Sequence, residues 1–398
     1  MHRREFLRDS LTAAAGIALA RATVLAQVSQ TPKKIVIVGG GLSGLVAGYE
    51  LKKLGHNITI LEAQSRAGGR VITFRNFAEG LWADAGAARI PLNHDLTHRY
   101  VKEFALELMP FYPTTNKYLR ATNGAPEPVE WNDFSQATSA IFGIETPDHW
   151  QKIKGGNDLL PGAFAERLKT NIHYDSPVTS VERTDKNVTV KFTQRGKTAA
   201  ISGDHAIIAI PMLVLRDVIF TPALPDNKVT AIGRAQYDSA SRIFIQTKDR
   251  FWLNKGLNGF AFGRKNEEIW DSTFGQPGTR GILQTYSRYA ASLAFTAQKP
   301  DERIATTLTD LEFFHPELRQ HFEKGFAKCW SEDPWVKGAW SHMDFADGLA
   351  MIAPEPRLSF CGEHLSFAPS WMQGALQSGL RVVNEITGAN AVTPAVVR

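Results

Sequence analysis

The sequence contains little cysteine, no long apolar run and no cluster of charges of one sign. Its 398 residues include only two cysteines, Cys329 and Cys361. They could pair in an oxidising compartment, but nothing in the sequence requires a disulfide, and we expect two buried thiols. The net charge is a mild +5, and no block of lysine or arginine interrupts the chain. Nucleic acid is therefore not an expected partner, and no metal site is predicted.

The composition is that of a folded globular protein. Hydrophobic residues make up 43% of the chain and charged residues 21%, which excludes a disordered or fibrous protein. A length of 398 residues is more than one compact core usually holds, and no repeat or low-complexity linker divides the chain. We therefore expect two closely packed domains.

The first thirty residues are typical of a targeting segment. Arg3 and Arg4 precede a short apolar run over residues 11–20, followed by small residues suited to cleavage. This order predicts a twin-arginine export signal over residues 1–30, with the twin-arginine export machinery as a partner and a periplasmic or secreted location. A basic tail on a cytosolic protein is the alternative. The apolar run is too short to span a bilayer, so no permanent membrane anchor is expected.

A β-α-β pattern opens the body of the chain. Residues 35–38 predict a buried parallel strand, residues 42–54 a helix, and residues 58–61 a second strand that ends at Glu62. The turn between the first strand and the helix, residues 39–44, has the sequence GGGLSG. This fits the G-x-G-x-x-G fingerprint of dinucleotide binding.

Each part of this fingerprint has a physical role. Gly39 allows a tight turn, Gly41 lets backbone N–H groups approach a pyrophosphate, and Gly44 lets the helix pack closely on the strand. The N-terminus of the helix then presents its partial positive charge to the phosphates. Glu62 lies where a carboxylate accepts hydrogen bonds from ribose hydroxyls. The pattern predicts dinucleotide binding but does not separate FAD from NAD.

Two arginines and a glycine pair follow Glu62 in the stretch EAQSRAGGR, residues 62–70. Arg66 and Arg70 can neutralise a diphosphate or hold this loop against the cofactor. A surface salt bridge is the alternative for each arginine taken alone.

Later segments predict the remaining elements. Residues 178–181 and 188–192 alternate like a hairpin, and residues 206–210 form a buried strand closed by Pro211. The other predicted elements are strands over residues 242–246, 281–286 and 358–361 and helices over residues 303–314 and 371–386.

Four separated blocks resemble motifs of the flavin-containing amine oxidase family, which includes monoamine, polyamine and L-amino acid oxidases. They are the glycine block and residues 154–161 (KGGNDLLP), 176–178 (SPV) and 360–364 (FCGEH) with the helix start that follows. The resemblance runs from Lys33 to about Thr387. It implies a Rossmann-type α/β FAD-binding domain, residues 33–95, 151–235 and 345–388, interleaved with an α+β substrate domain, residues 96–150 and 236–344.

The closing block resembles the part of the family that contacts the flavin. Gly362 would let the backbone approach the cofactor, Glu363 could hydrogen-bond its ribityl chain, and the helix beginning near Trp371 would direct its positive end at the flavin. A surface carboxylate is the alternative for Glu363. Family members with covalent FAD carry a cysteine just ahead of this helix, and residues 367–371 contain none, which implies non-covalent FAD. The expected cofactor contacts are Gly39, Gly41, Leu42, Ser43, Gly44, Glu62, Ala63, Arg70, Gly86, Ala87, Ala88, Arg89, Val178, Gly362, Glu363, Trp371, Met372 and Ala375.

The resemblance also implies a substrate site. Trp340 and Trp371 match the two aromatic walls that flank the reacting amine in this family, and a core position is the alternative for each. Residues 86–91 (GAARIP) resemble the segment whose arginine, here Arg89, grips the substrate carboxylate in L-amino acid oxidases. Tyr286 resembles the tyrosine that shares this carboxylate. A structural salt bridge for Arg89 and a packed Tyr286 are the alternatives.

Two positions depart from the family pattern. Arg242 stands where the family usually has a lysine thought to hold a water near flavin N5. Because arginine stays protonated, it cannot replace a tunable amine, so a dehydrogenase that uses another electron acceptor stays open. Arg288 stands where L-amino acid oxidases often have an aliphatic residue. Its guanidinium either receives an acidic or strongly accepting substrate side chain or points into solvent.

Together these features predict FAD-dependent oxidation of the C–N bond of an L-amino acid to the imino acid, then to a keto acid and ammonia, with oxygen giving hydrogen peroxide. The candidate catalytic residues are Arg89, Arg242, Tyr286, Arg288, Trp340 and Trp371. The alternatives are a primary amine or polyamine oxidase, an amino acid dehydrogenase, a flavin enzyme of another reaction, and a flavoprotein that binds without turnover.

Overall fold

The computed structural model describes residues 31–121, 124–142, 149–263 and 268–388. The chain divides into two units, Met1–Lys33 and Lys34–Arg398, and the elements given below belong to the second. The predicted export signal, residues 1–30, lies outside the described residues and stays a prediction. Among the described residues, no helix combines the length and the apolar character that a membrane span needs.

The described ranges contain both strands and helices. The strands are β1 (Lys34–Val38), β2 (Asn57–Leu61), β3 (Thr73–Phe74), β4 (Ala83–Asp84), β5 (Leu108–Pro110), β6 (Lys117–Arg120), β7 (Glu127–Val129), β8 (Gln151–Ile153), β9 (Ile172–His173), β10 (Val178–Arg183), β11 (Val188–Gln194), β12 (Lys197–Gly203), β13 (His205–Ile208), β14 (Ile219–Thr221), β15 (Gln236–Asp238), β16 (Ala240–Thr247), β17 (Leu257–Phe262), β18 (Glu268–Asp271), β19 (Gly281–Arg288), β20 (Phe322–Cys329), β21 (Trp340–His342) and β22 (Leu358–Phe360). The helices are α1 (Leu42–Lys53), α2 (Asp95–Glu103), α3 (Trp131–Phe142), α4 (Leu159–Arg167), α5 (Met212–Leu215), α6 (Asp226–Arg234), α7 (Tyr289–Thr296), α8 (Pro300–Glu312), α9 (Leu318–His321), α10 (Phe345–Ile352) and α11 (Met372–Thr387).

A parallel sheet of order β22–β13–β1–β2–β9 lies at the centre of the first half of the fold. Its strands are apolar on both faces because both faces are covered. Ile35 and Ile37 of β1 pack in one core with helices α1 and α11. Val36 and Val38 pack in the opposite core with strands β10 and β11, which form the predicted antiparallel hairpin. The predicted Rossmann-type α/β fold is confirmed.

A larger sheet of order β20–β16–β19–β18–β17–β6–β7 forms the second half. The two strands predicted over residues 242–246 and 281–286 are its antiparallel neighbours β16 and β19. Ile243 and Ile245 point to a core that includes Leu308 and Leu311 of helix α8. Because side chains alternate along a strand, the neighbouring positions of β16 and β19 face the opposite way, toward the cleft described next.

The two sheets use the segments that the sequence assigns to two interleaved domains. Lys34–Arg398 nevertheless forms one compact unit, so the predicted domain bounds stay a prediction. Cys329, at the end of β20, and Cys361, directly after β22, are both free and buried, and the prediction of two buried thiols is confirmed.

Candidate active site

A cleft of about 420 Å³ opens where the strands of the parallel sheet end. Its lining includes the residues that directly follow the carboxyl ends of β1, β2 and β13, namely Gly39, Glu62 and Ala209. Gly362, the second residue after β22, also lines the cleft. Open parallel α/β sheets bind their ligands at this position. Successive connections leave β1 toward opposite edges of the sheet here, which opens a crevice between them.

The glycine turn between β1 and α1 has the backbone that the fingerprint predicts. Gly39 has φ of +106°, a conformation that side chains rarely adopt. A Cβ on Gly44 would lie 2.1 Å from the carbonyl oxygen of Gly39, so the close approach of helix and turn requires glycine there. A Cβ on Gly41 would meet no atom within 4 Å, and Gly41 lines the cleft. Its small size therefore leaves room for a ligand.

Two helix N-termini at the cleft have no side-chain cap. Helix α1 begins after Gly41 and helix α11 after Trp371, and neither has a side-chain cap or an acidic residue in its first turn. Both N-cap residues line the cleft. The free N–H groups and the positive end of each helix dipole favour an anionic ligand. The site therefore fits FAD, whose diphosphate can be held at α1 and whose flavin can lie at α11.

Glu62 is fixed by backbone N–H groups at the end of β2. Its two carboxylate oxygens accept hydrogen bonds from the N–H groups of Gly40, at 2.7 Å, and Gln64, at 2.8 Å. Burial raises the pKa of Glu62 while these two bonds oppose the rise. Each oxygen keeps a further lone pair, so the predicted contact with a ribose hydroxyl remains geometrically open.

The loop after Glu62 is held in place by its arginines. Arg66 donates to the carbonyl oxygen of Gly69 at 2.8 Å, and Gly68 donates its N–H to Gly40 at 2.8 Å. Arg66 therefore braces the loop internally, and the Gly68 N–H attaches the loop to the glycine turn. Arg70 lines the cleft and pairs with Glu363 at 2.7 Å, so it links the loop to the closing block rather than to the surface.

Glu363 is a buried junction between three segments. Besides Arg70, its oxygens accept hydrogen bonds from the N–H and Oγ of Ser341, at 3.2 and 3.1 Å, and from the N–H of Ser370, at 2.7 Å. Burial opposes ionisation of this carboxyl group, but the Arg70 guanidinium lowers its pKa overall. The surface alternative for Glu363 is wrong, since the residue is only 5% exposed.

Aromatic side chains line the other end of the cleft. Trp340 and Trp371 are partly buried and both line it. The Trp371 ring meets Trp150 edge to face at 5.8 Å between centroids, and Trp340 meets Tyr289 edge to face at 6.2 Å. These contacts fix the planes of the two indoles. A cage role for them stays a prediction.

Arg89 lines the cleft and is also held by an internal carboxylate. Its Nη1 lies 3.0 Å from a carboxylate oxygen of Glu268 and 3.2 Å from the Tyr112 hydroxyl. Burial disfavours the charge on Arg89, but Glu268 raises its pKa overall. The salt bridge that was the alternative for Arg89 is therefore present, and Glu268 was not found from the sequence. No local motif marks this pair, because its members are 179 positions apart.

Three further predicted residues lie on one face of the β16–β19 pair. Arg242 is directly opposite Tyr286, and Arg288 is opposite Ala240, so their side chains project from the same side of the sheet. All three line the cleft. Arg288 is only 7% exposed, so the alternative that it points into solvent is wrong.

The predicted residues thus converge on one cavity. Apart from Gly44, which packs beneath the turn, every predicted catalytic or cofactor residue lines the cleft. The expected contacts did not include every lining residue. Gln64, Ser176 and His364 belong to the motif blocks but were not predicted as contacts. Other lining residues belong to no block, among them Ile210, Pro211, Val214, Tyr289, Trp330, Trp335, Val336, Ala339, Pro369 and Ser370.

A pair of buried charges lies behind the cleft wall. Asp84 and Lys152 line a second, very small cavity together with Trp270. Burial raises the pKa of Asp84 to about 6 and lowers that of Lys152 to about 8. Arg242 donates to the backbone oxygen of Asp84 at 3.1 Å. Within the ranges that the structure describes, no group of three or more His, Cys, Asp or Glu side chains is placed to hold a metal ion.

The fold and the cleft define a flavin-dependent oxidoreductase, and comparison with known proteins gives the family. The sequence matches the flavin-containing amine oxidoreductases over residues 42–151 and 121–387. The chain belongs to this family, and FAD is its cofactor.

Individual relatives cover nearly the whole chain. YobN of Bacillus subtilis (strain 168) is 30% identical over 90% of this chain and 95% of its own length. The L-amino-acid oxidase BmooLAAO-I of Bothrops moojeni is 25% identical, with 91% of each chain covered. Among solved structures, putrescine oxidase bound to putrescine has a TM-score of 0.78 at 17% identity, covering 90% of this chain and all of that one. Cyclohexylamine oxidase from Brevibacterium oxydans IH-35A has a TM-score of 0.79 at 18% identity, covering 90% and 99%. At these identities the two structures show the fold alone.

Proposed function

We propose that the protein oxidises the C–N bond of an L-amino acid to the imino acid, which water converts to a keto acid and ammonia, and that oxygen reoxidises the cofactor to give hydrogen peroxide. The observation that carries the proposal is that Arg89 and Tyr286 line the same cleft as Trp340 and Trp371. A carboxylate-binding arginine thus shares one cavity with two aromatic walls. The names of several relatives, including the oxidase from Bothrops moojeni, support this substrate class.

The chain's own residues bind and orient the substrate. The Arg89 guanidinium offers two N–H groups in the geometry of a carboxylate, and Glu268 and Tyr112 fix the direction in which it points. The two indoles limit the positions that the amine can take and exclude water from the reacting bond. FAD, when bound, would accept the α-hydrogen together with two electrons, and the amine nitrogen would lose one proton to solvent as the C=N bond forms. Neither cysteine lines the cleft, which supports non-covalent binding of FAD.

Flavin reduction without air tests the proposal directly. The holoenzyme is mixed anaerobically with L-amino acids, their D-enantiomers and simple amines, and loss of the oxidised flavin band is followed. We expect reduction by L-amino acids, followed by hydrogen peroxide and keto acid when air is admitted. If air does not restore the oxidised flavin band and only an artificial electron acceptor does, the protein is a dehydrogenase, the alternative left open by Arg242.

A primary amine or polyamine oxidase is the second candidate, and the Arg89–Glu268 pair favours it. An arginine that already has a carboxylate partner 3.0 Å away does not require a second one from the substrate. Arg89→Lys separates the two candidates, because lysine keeps a cation beside Glu268 but loses the bidentate geometry. If Arg89→Lys raises KM only for substrates that carry a carboxylate, the protein is an amino acid oxidase. If KM for butylamine rises equally, the protein is an amine oxidase.

We also propose that residues 1–30 direct twin-arginine export to the periplasm or beyond the cell. The support is the order of Arg3, Arg4, the apolar run and the small residues after it. Cell fractionation should recover the chain outside the cytoplasm, and Arg3→Lys/Arg4→Lys should retain it inside. Export that persists in this double variant contradicts the assignment.

A further inference from the structure

Three guanidinium groups surround one tyrosine ring at the substrate end of the cleft. The Cζ atoms of Arg242, Arg288 and Arg89 lie 4.6, 5.4 and 5.7 Å from the centroid of the Tyr286 ring. Each arginine is at most 7% exposed, and all three line the cleft. The register of β16 and β19 accounts for two of them, since it sets Arg242 and Arg288 on the same face of the sheet as Tyr286.

Protein carboxylates balance these charges only in part. Glu268 pairs with Arg89, whereas Arg242 forms no ion pair with any carboxylate of the described residues and donates instead to the backbone oxygen of Asp84. Burial lowers the pKa of Arg242 to about 10, which reflects the cost of keeping this charge away from water.

The acids that do line the cleft are engaged elsewhere. In the described part of the chain these are Glu62 and Glu363. Glu62 is bound to the glycine turn through Gly40, and Glu363 is paired with Arg70. The substrate end is therefore positively charged, and a second substrate carboxylate can supply the missing anion.

On the basis of the L-amino acid oxidation proposed above, we propose that the substrate is a dicarboxylic L-amino acid whose side-chain carboxylate binds Arg242. The α-carboxylate lies at Arg89, and the Cζ atoms of the two anchoring guanidinium groups lie 5.7 Å (Arg89) and 4.6 Å (Arg242) from the centroid of the Tyr286 ring. A substrate carboxylate pairs strongly with Arg242, because this guanidinium is already buried in the fold, so that only the carboxylate still has to lose its hydration, and the pair gains directional hydrogen bonds. Arg288, on the same sheet face, adds to the positive potential.

The same arrangement disfavours other side chains. An aliphatic side chain leaves Arg242 buried without an anion, and the ammonium group of lysine or of a diamine is repelled by it. The expected order of preference is L-glutamate or L-aspartate, then L-leucine, then L-lysine.

The test compares the wild-type holoenzyme with Arg242→Gln and Arg242→Lys. Anaerobic flavin reduction is measured with L-glutamate, L-aspartate, L-leucine, L-lysine and butylamine. Arg242→Gln is expected to raise KM for the dicarboxylic substrates roughly 10- to 100-fold, the range of a hydrogen bond between charged groups, and to lower the ratio of kcat/KM for L-glutamate to kcat/KM for L-leucine by a similar factor. Arg234→Gln is the matched control, because the Arg234 side chain is 69% exposed.

A binding measurement keeps the proposal testable if the Arg242 variants fail to fold. Glutarate and butyrate, which carry no amine and cannot be oxidised, are titrated into the wild-type holoenzyme while the visible flavin band is recorded. Glutarate is expected to bind at least about 10-fold more tightly than butyrate. Equal affinities, or oxidation of L-leucine as efficiently as L-glutamate, would overturn the assignment of Arg242 while leaving L-amino acid oxidation intact. Reduction by butylamine but by no amino acid would instead overturn the proposed function.

Discussion

Replacing Glu363 by glutamine removes the charge at the junction that holds the closing block against the Arg70 loop. The Glu363 side chain is 6% exposed and that of Arg70 is 22% exposed, with 2.7 Å between them. Removing one partner of a buried pair leaves the other charge without compensation and typically costs 3–5 kcal/mol. Glutamine keeps one acceptor oxygen for the Ser341 or Ser370 donors, so we expect a loss of about 3 kcal/mol in the free energy of unfolding.

Urea unfolding of the FAD-loaded wild type and variant, followed by circular dichroism, measures this loss. Glu166→Gln is the control, since Glu166 pairs with Lys169 at 2.6 Å but both side chains are more than 60% exposed, and its cost should be much smaller than that of Glu363→Gln because solvent screens the pair. The pKa of Glu363 is lowered in the folded protein. Its contribution to stability is therefore present above the usual pKa of 4.5 and is lost as the pH falls through the folded value.

The difference between wild type and Glu363→Gln should accordingly shrink in acid, while that for the surface control changes little. A cost for Glu363→Gln no larger than that for Glu166→Gln at neutral pH would refute the view that this pair holds the cleft together.

Further perturbations test the glycine turn, the buried Asp84 and the two cysteines. Gly44→Ala places a Cβ 2.1 Å from a backbone oxygen and should destabilise the protein by at least about 3 kcal/mol. The Cβ of Gly41→Ala meets no atom within 4 Å, so this variant should fold normally but retain little FAD on gel filtration. Equal FAD retention by both variants would contradict the assigned roles. Burial raises the pKa of Asp84 to about 6, so its stabilising contribution is full below pH 3.8 and is lost as the pH rises through 6. The stability of Asp84→Asn relative to wild type should thus increase by about 3 kcal/mol between pH 4 and pH 7 in urea titrations, and a constant difference would show that the carboxyl group is not so perturbed. A thiol reagent should modify neither Cys329 nor Cys361 in the native protein and both after unfolding, because both are buried; rapid reaction of either native thiol would place it at the surface.

Local patterns were sufficient for the cofactor half of the molecule. The strand, the glycine turn and the helix that begins at Leu42 are contiguous, and each constraint acts within a few residues: a positive φ at Gly39, a missing Cβ at Gly44, an apolar strand on either side. Such short-range requirements can be recognised from the local sequence alone. The family blocks extended this reading to the closing helix, and the structure brings them all to one cleft.

The sequence was less informative about the substrate half, where the decisive pairs are far apart along the chain. Arg89 meets Glu268 only because separate segments cross at the cleft. The same holds for the Arg70–Glu363 pair, although both of its members lie in the cofactor half. The positions of Arg242 and Arg288 were noted as departures from the family pattern, but a strand pattern does not show which residue lies across from which.

By itself, then, the sequence determined the Rossmann-type half and its dinucleotide site, because these depend on backbone geometry and apolar alternation over short spans. The flavin and most of the residues around the cleft followed from the resemblance of its motif blocks to those of the family. Only the tertiary structure decided which buried charges are compensated. Strand register places Arg242 and Arg288 beside Tyr286, and the crossing of separate segments brings Arg89 to the same ring and to Glu268. None of the described carboxylates pairs with Arg242, which donates to a backbone oxygen instead. The strength of such charges depends on distance and on exclusion of water, and both are set by the folded chain.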